Sequence, residues 1–144
     1  MAGTARPEIA FSDLMAAVGE VLLRWGYLEL EMLKKLEASR ELPSGRTGPL
    51  QQWRVASARS SSAASAWTAE IERAGQIRNL LAHGLVGGNA RPEAGDPHVV
   101  CRDLYGSYHH ISYAHLVATA QTLDLLRLRL AREPDDLLRN SSGV

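Results

Sequence analysis

Leu85-Val86-Gly87-Gly88-Asn89, Arg91-Pro92-Glu93-Ala94-Gly95-Asp96-Pro97, His98-Val99-Val100-Cys101-Arg102 and Tyr108-His109-His110-Ile111 stand close together in the chain. Gly87-Gly88-Asn89 and the run from Arg91 to Pro97 carry turn chemistry, since Gly, Pro, Asn and Asp supply the dihedral angles that turns need. His98 to Arg102 has the β-branched character of a strand, and Tyr108 to Ile111 can pair with it around Tyr105-Gly106-Ser107. The stretch therefore reads as a small β-hairpin set between two helices.

On either side the pattern is helical. Phe11, Met15, Val18, Leu22, Trp25, Met32 and Leu36 recur at steps of three and four, tracing one stripe on a helix from about Ile9 to Ala38. Leu14, Val21, Leu28 and Leu33 widen it. Leu42 to Pro49 holds two Pro and two Gly within eight residues, so it is a loop, and Pro49 suits the first position of a new helix. Leu50 to about Arg59 is weakly helical, and the Ser-rich run near Ser60 to Ser62 suggests a break. Trp67, Ile71, Ala74, Arg78 and Leu81 form the next stripe, which Gly84 closes as a C-terminal glycine. Ser112 suits an N-cap. The last long helix follows from Tyr113 to about Arg132 with Leu116, Thr119, Ala120, Leu123, Leu126 and Leu130 inward, and Pro134 stops it. The expected fold is all-α: an up-and-down helical bundle of four to five helices with a small β-hairpin inserted before the last long helix. It forms one domain over residues 1–144, ordered from about residue 8 to 134 with frayed termini.

Composition narrows the function. Apolar residues make up 45% of the chain, enough for a core, and the sixteen basic residues balance sixteen acidic ones. A protein that grips long nucleic acid through many phosphates is usually basic, so any nucleic-acid contact here is local or made by more than one chain. The single cysteine, Cys101, excludes an intrachain disulfide and suits a reducing compartment. Met1 to Pro7 lacks a signal-peptide pattern, and no run nears the ~20 apolar residues of a membrane span. The expectation is a cytoplasmic protein with no membrane partner.

One segment has a claim to chemistry: Gln76-Ile77-Arg78-Asn79-Leu80-Leu81-Ala82-His83-Gly84. Arg78 shares the stripe of Trp67, Ile71, Ala74 and Leu81, where a guanidinium needs a carboxylate, carbonyls or a bound anion. Glu29, on the stripe between Trp25 and Met32, is the candidate partner. His83 stands five residues on, about 140° around an ideal helix from Arg78. The two meet only if the helix end unwinds at Gly84 or if a second copy brings both segments to one cleft.

Arg78-Asn79-x-x-Ala82-His83-Gly84 at the end of a bundle helix resembles the signature of the HEPN superfamily (the higher-eukaryote and prokaryote nucleotide-binding domain). Trp25-Gly26-Tyr27-Leu28-Glu29 resembles the first helix of its small prokaryotic members. The resemblance covers about residues 10 to 130 in architecture, with some seven residues carrying the motif. It implies a metal-independent endoribonuclease that works as a homodimer on RNA, without a cofactor, in a toxin, phage-defence or stress system, with an antitoxin or other protein partner. Carried over residue by residue, His83 acts as general base or acid on a ribose 2′-hydroxyl. Arg78 holds the scissile phosphate, and Asn79 orients His83 or the phosphate. Toxin members silenced by tyrosine modification carry Tyr two residues after the His. Leu85 stands there in this chain, which argues against that subgroup. Other members have lost catalysis and bind a nucleotide or a protein partner instead.

Two plainer readings stand beside this one. Arg78 and His83 can be structural, since a His near a helix C-terminus suits the macrodipole and Gly84 needs no function to end a helix. His98, Cys101, His109, His110 and His115 offer metal-ligand types, but adjacent strand residues point to opposite faces, so no metal site is expected. Trp25 and Trp67 belong to the core stripes rather than to a stacking surface. Arg127, Arg129 and Arg132 are followed by Glu133, Asp135 and Asp136, which reads as a solvated face.

Overall fold

The computed structural model describes residues 8–39, 48–59 and 64–138. The elements run α1 (Phe11–Ala38), α2 (Pro49–Arg59), α3 (Ala64–Gly84), β1 (Leu85–Asn89), β2 (His98–Arg102), β3 (Tyr108–Ser112) and α4 (Tyr113–Arg132). The described part is therefore a mixed α and β fold of four helices and a three-stranded antiparallel sheet in the order β1-β2-β3. That corrects the expected all-α bundle with a two-stranded hairpin. The hairpin is present as read, with Val99 opposite Ile111 and Arg102 opposite Tyr108. The extra strand is Leu85-Val86-Gly87-Gly88-Asn89, which pairs with β2 from Leu85↔Cys101 to Asn89↔His98 and is irregular between Leu85 and Gly87. Its two glycines and Asn mimic a turn. In the fold a Cβ on Gly88 would stand 3.1 Å from the Leu14 side chain and 3.5 Å from that of Phe11, so the small residue lets α1 lie close on the strand.

The helices do not alternate up and down either. α1 and α4 share a groove with Asp13 and Tyr113 toward one end and Arg24 and Asp124 toward the other. Arg24 is paired with Asp124, and Lys35 reaches Asp135 at 2.9 Å further along. The two helices thus run parallel, whereas the first and last of an up-and-down four-helix bundle are antiparallel. α3 runs against α1: Gly75 lies on Trp25, and further along the chain Gly88 lies on Leu14. α2 folds back on α3 through Arg54 to Glu72 at 2.6 Å and Thr68 to Ser57 at 3.0 Å.

The core stripe of α1 is Leu14, Val18, Val21, Trp25, Leu28 and Met32, while Phe11 and Leu22, expected on it, are exposed at its edge. Trp53 of α2, Ile71 and Leu81 of α3, and Leu116, Leu123, Leu126 and Leu130 of α4 complete the core from the helices. The sheet adds Val99, Cys101 and Ile111 from its inner face. Both junctions between helix and sheet lack a loop: α3 passes directly into β1, and β3 into α4, where the Ser112 hydroxyl accepts from the His115 amide at 3.0 Å as the expected N-cap. The sheet thereby closes the end of the molecule where α3 finishes and α1 and α4 begin. Pro49 opens α2, and α4 gives way at Glu133 ahead of Pro134, as read. The loop residues Leu42 to Thr47, the Ser60 to Ser62 break and the tail from Asn140 lie outside the described residues. No described helix is long and apolar enough to cross a membrane.

Candidate functional site at the end of α3

α3 is held by Ile71, Ala74 and Leu81, which are buried, with Trp67, Ile77 and Leu80 partly so. Arg78 falls on that stripe by spacing but is only half-buried. Its guanidinium donates to Asn79 Oδ1 at 3.1 Å, and among the described residues it forms no ion pair. The expected partner, Glu29, accepts instead from the indole N–H of Trp25, one turn back on its own helix. This gives the carboxylate a local donor and leaves the arginine without it. Asn79 and His83 are exposed.

The helix does not unwind at its end. It stays α-helical through Gly84, so Arg78 and His83 stand on different sides of one rod, about 140° apart. Gly84 ends α3 for a reason other than a left-handed cap: of the described glycines only Gly95 and Gly106 have positive φ. A Cβ on Gly84 would lie 2.2 Å from the Arg102 carbonyl oxygen. The residue is small because strand β2 passes against it, and this sets the exposed His83 immediately beside the Arg102 end of the hairpin.

That end is built around Asp103, which the sequence reading passed over. Its Oδ1 accepts from the Tyr105 and Ser107 amides, both at 2.9 Å, and its Oδ2 meets His109 Nε2 at 2.7 Å. The His109 ring, followed by the Ser107 and Tyr105 amides, holds the Asp103 carboxyl below the usual carboxylate range. The Asp103-x-x-Gly106-Ser107 spacing was the available signal, since Asp accepts from amides a few residues on and Gly106 takes φ 86°. Leu104 and Tyr105 at the tip are almost fully solvent-exposed.

The metal-ligand types are dispersed. Cys101 is completely buried on the inner face, and burial pushes its thiol up. His109 is engaged by Asp103, and His98 stacks on His110 with centroids 4.6 Å apart. Among the described residues no three His, Cys, Asp or Glu side chains converge to hold an ion. Two shallow grooves mark the helical surface, one of about 320 Å³ between α1 and α4 and one of about 390 Å³ between α3 and α4. Neither is lined by Arg78, Asn79 or His83. Comparison with protein-family models, with curated proteins and with solved structures finds no match to this chain.

Proposed function

We propose that the chain is a HEPN-type, metal-independent endoribonuclease whose site is completed by a second copy. The observation that carries this reading is the state of Arg78. It lies at the functional end of α3, hydrogen-bonded to Asn79, with no carboxylate on it among the described residues. A guanidinium so placed can take a phosphate. Because α3 is unbroken through Gly84, Arg78 of one chain works with His83 of the other across a two-fold interface. His83 of one chain takes the proton of a ribose 2′-hydroxyl, and O2′ attacks the adjacent phosphorus. Arg78 and Asn79 hold the charge that builds on the phosphoryl oxygens. The bond to O5′ breaks, and O5′ takes a proton from water, leaving a 2′,3′-cyclic phosphate. A cytoplasmic toxin, phage-defence or stress role with an antitoxin or other protein partner belongs to the same reading.

The second reading is a non-catalytic HEPN-like module that binds a nucleotide or a protein partner. It is favoured by the separation of Arg78 and His83 around the helix.

Cleavage of a mixed RNA pool in EDTA separates the two. The catalytic reading expects products with cyclic-phosphate ends from the wild type, and loss of about a hundredfold or more in His83→Ala with unchanged circular dichroism. An inert wild type, or a His83→Ala variant as active as wild type, moves the function to the binding module.

A further inference from the structure

We infer that the outward face of the three-stranded sheet is a platform for single-stranded RNA that leads to His83. The ligand's identity rests on the ribonuclease reading; the platform rests on the geometry of the sheet. Val99, Cys101 and Ile111 turn to the core, so their neighbours along β2 and β3 turn outward: His98, Val100 and Arg102 on one strand, Tyr108, His110 and Ser112 on the other. β1 adds Gly87 and Asn89, opposite Val100 and His98. Arg102, Tyr108, His110, Gly87 and Asn89 are exposed, and none of the outward residues is a carboxylate.

Three features of this face suit a base-and-phosphate strand rather than a helix of a neighbouring protein. It is open at its β1 edge, because Gly87 has no side chain and a Cβ placed there would meet nothing within 4 Å. It carries ring faces: His98 and His110 already stack, with planes 16° apart, and Tyr108 is the next outward residue along β3 from His110. It ends in a cation, Arg102, whose guanidinium rests over Gly106 and has no ion-pair partner among the described residues. The nearest carboxylate in the chain, that of Asp103, is turned to His109, the register partner of buried Cys101, on the opposite side of the ladder.

Bases stack on aromatic faces without regard to sequence, and an arginine at the rim takes the backbone phosphate. Four residue steps from His98 to Arg102 give ~13 Å, enough for ~two to three bases, as on other sheet platforms. The direction follows from the close approach of Gly84 to the Arg102 carbonyl: a strand laid from Asn89 and His98 toward Arg102 and Tyr108 arrives at the end of α3, where His83 is exposed. A local site of this kind also accords with a chain of zero net charge.

The test is fluorescence anisotropy of the full chain with a labelled single-stranded 2′-fluoro octanucleotide, which cannot form a cyclic phosphate, alongside cleavage of ordinary RNA in EDTA. Tyr108→Ala and Arg102→Gln are each expected to weaken binding by about fivefold or more, the second with a flatter salt dependence. Arg132→Gln removes the same charge at the far end of α4 and is expected to leave binding unchanged. If the folded wild type does not bind the oligonucleotide, or if both sheet variants bind as well as wild type, the platform is overturned. Cleavage by wild type and by both sheet variants at equal rates overturns the platform while the ribonuclease reading stands. Binding lost in the sheet variants with no cleavage by wild type upholds the platform and removes the ribonuclease reading.

Discussion

Gly84 and Gly87 are three residues apart, yet their substitution should give opposite results. A methyl on Gly84 meets the Arg102 carbonyl at 2.2 Å, a backbone atom that moves only if α3 and β2 separate, while the same methyl on Gly87 enters open space. Gly84→Ala is expected to cost about 1–3 kcal/mol in urea unfolding, and Gly87→Ala to stay within about 0.5 kcal/mol of wild type. Equal effects would mean that strand β2 does not press on the end of α3. The sequence marked Gly84 as a helix end, correctly in position, but the left-handed cap expected there is absent because the reason for glycine is a neighbour distant in sequence. Arg78, Asn79 and His83 were readable as a group from their spacing. Their arrangement was not, because whether a helix frays at a glycine depends on what packs against it. Lys35 went unread altogether: a lysine spaced onto an apolar stripe gives no hint that the far end of another helix will supply its partners.

Among the elements, α1, α3 and α4 were readable because burial imposes a repeat of three to four on their residues, and the hairpin because β-branched residues stand beside turn chemistry. β1 was not. Gly88 is there to admit α1 while Gly87 faces open space, and a strand with two adjacent glycines has no alternation of apolar side chains to read. The Ser112 cap, by contrast, is a local device and was found locally. The hairpin tip supplies a pH prediction. The Asp103 carboxyl sits lower in the fold than in the unfolded chain, because His109 and two amides favour its charged form. Its contribution is therefore complete above about pH 4 and is lost as pH falls through the depressed folded value. Hydrogen-exchange protection of the Tyr105 and Ser107 amides, corrected for intrinsic rates, should fall between pH 5 and pH 3 in wild type. It should be low at both values in Asp103→Ala. Protection that does not change with pH in wild type would remove the carboxylate from its anchoring role.

At the scale of the whole molecule, the parallel α1 and α4 are clasped where both end. Lys35 is almost fully buried, and its ammonium donates to the Glu133 carbonyl at 2.8 Å and to Asp135 at 2.9 Å. Asp135 itself is largely exposed, so solvent screens its share of the pair. Lys35→Ala is expected to lower stability by about 2 kcal/mol or more, through lost packing of the stem and an orphaned carbonyl, and Asp135→Ala to have a much smaller effect. The reverse order in thermal or urea unfolding would show that the ion pair, not the burial, holds the ends together. The same rigidity bears on function, since a helix packed on α1, α4 and the sheet cannot bend Arg78 toward its own His83. The direct test is active-site complementation. His83→Ala and Arg78→Ala chains, each inactive alone, are mixed under exchange and assayed for RNA cleavage in EDTA. A site shared across a two-fold interface predicts recovery to roughly a quarter of the wild-type rate, since half the dimers are mixed and each regains one of two sites. A mixture as inactive as its two components would contradict a site assembled from two chains.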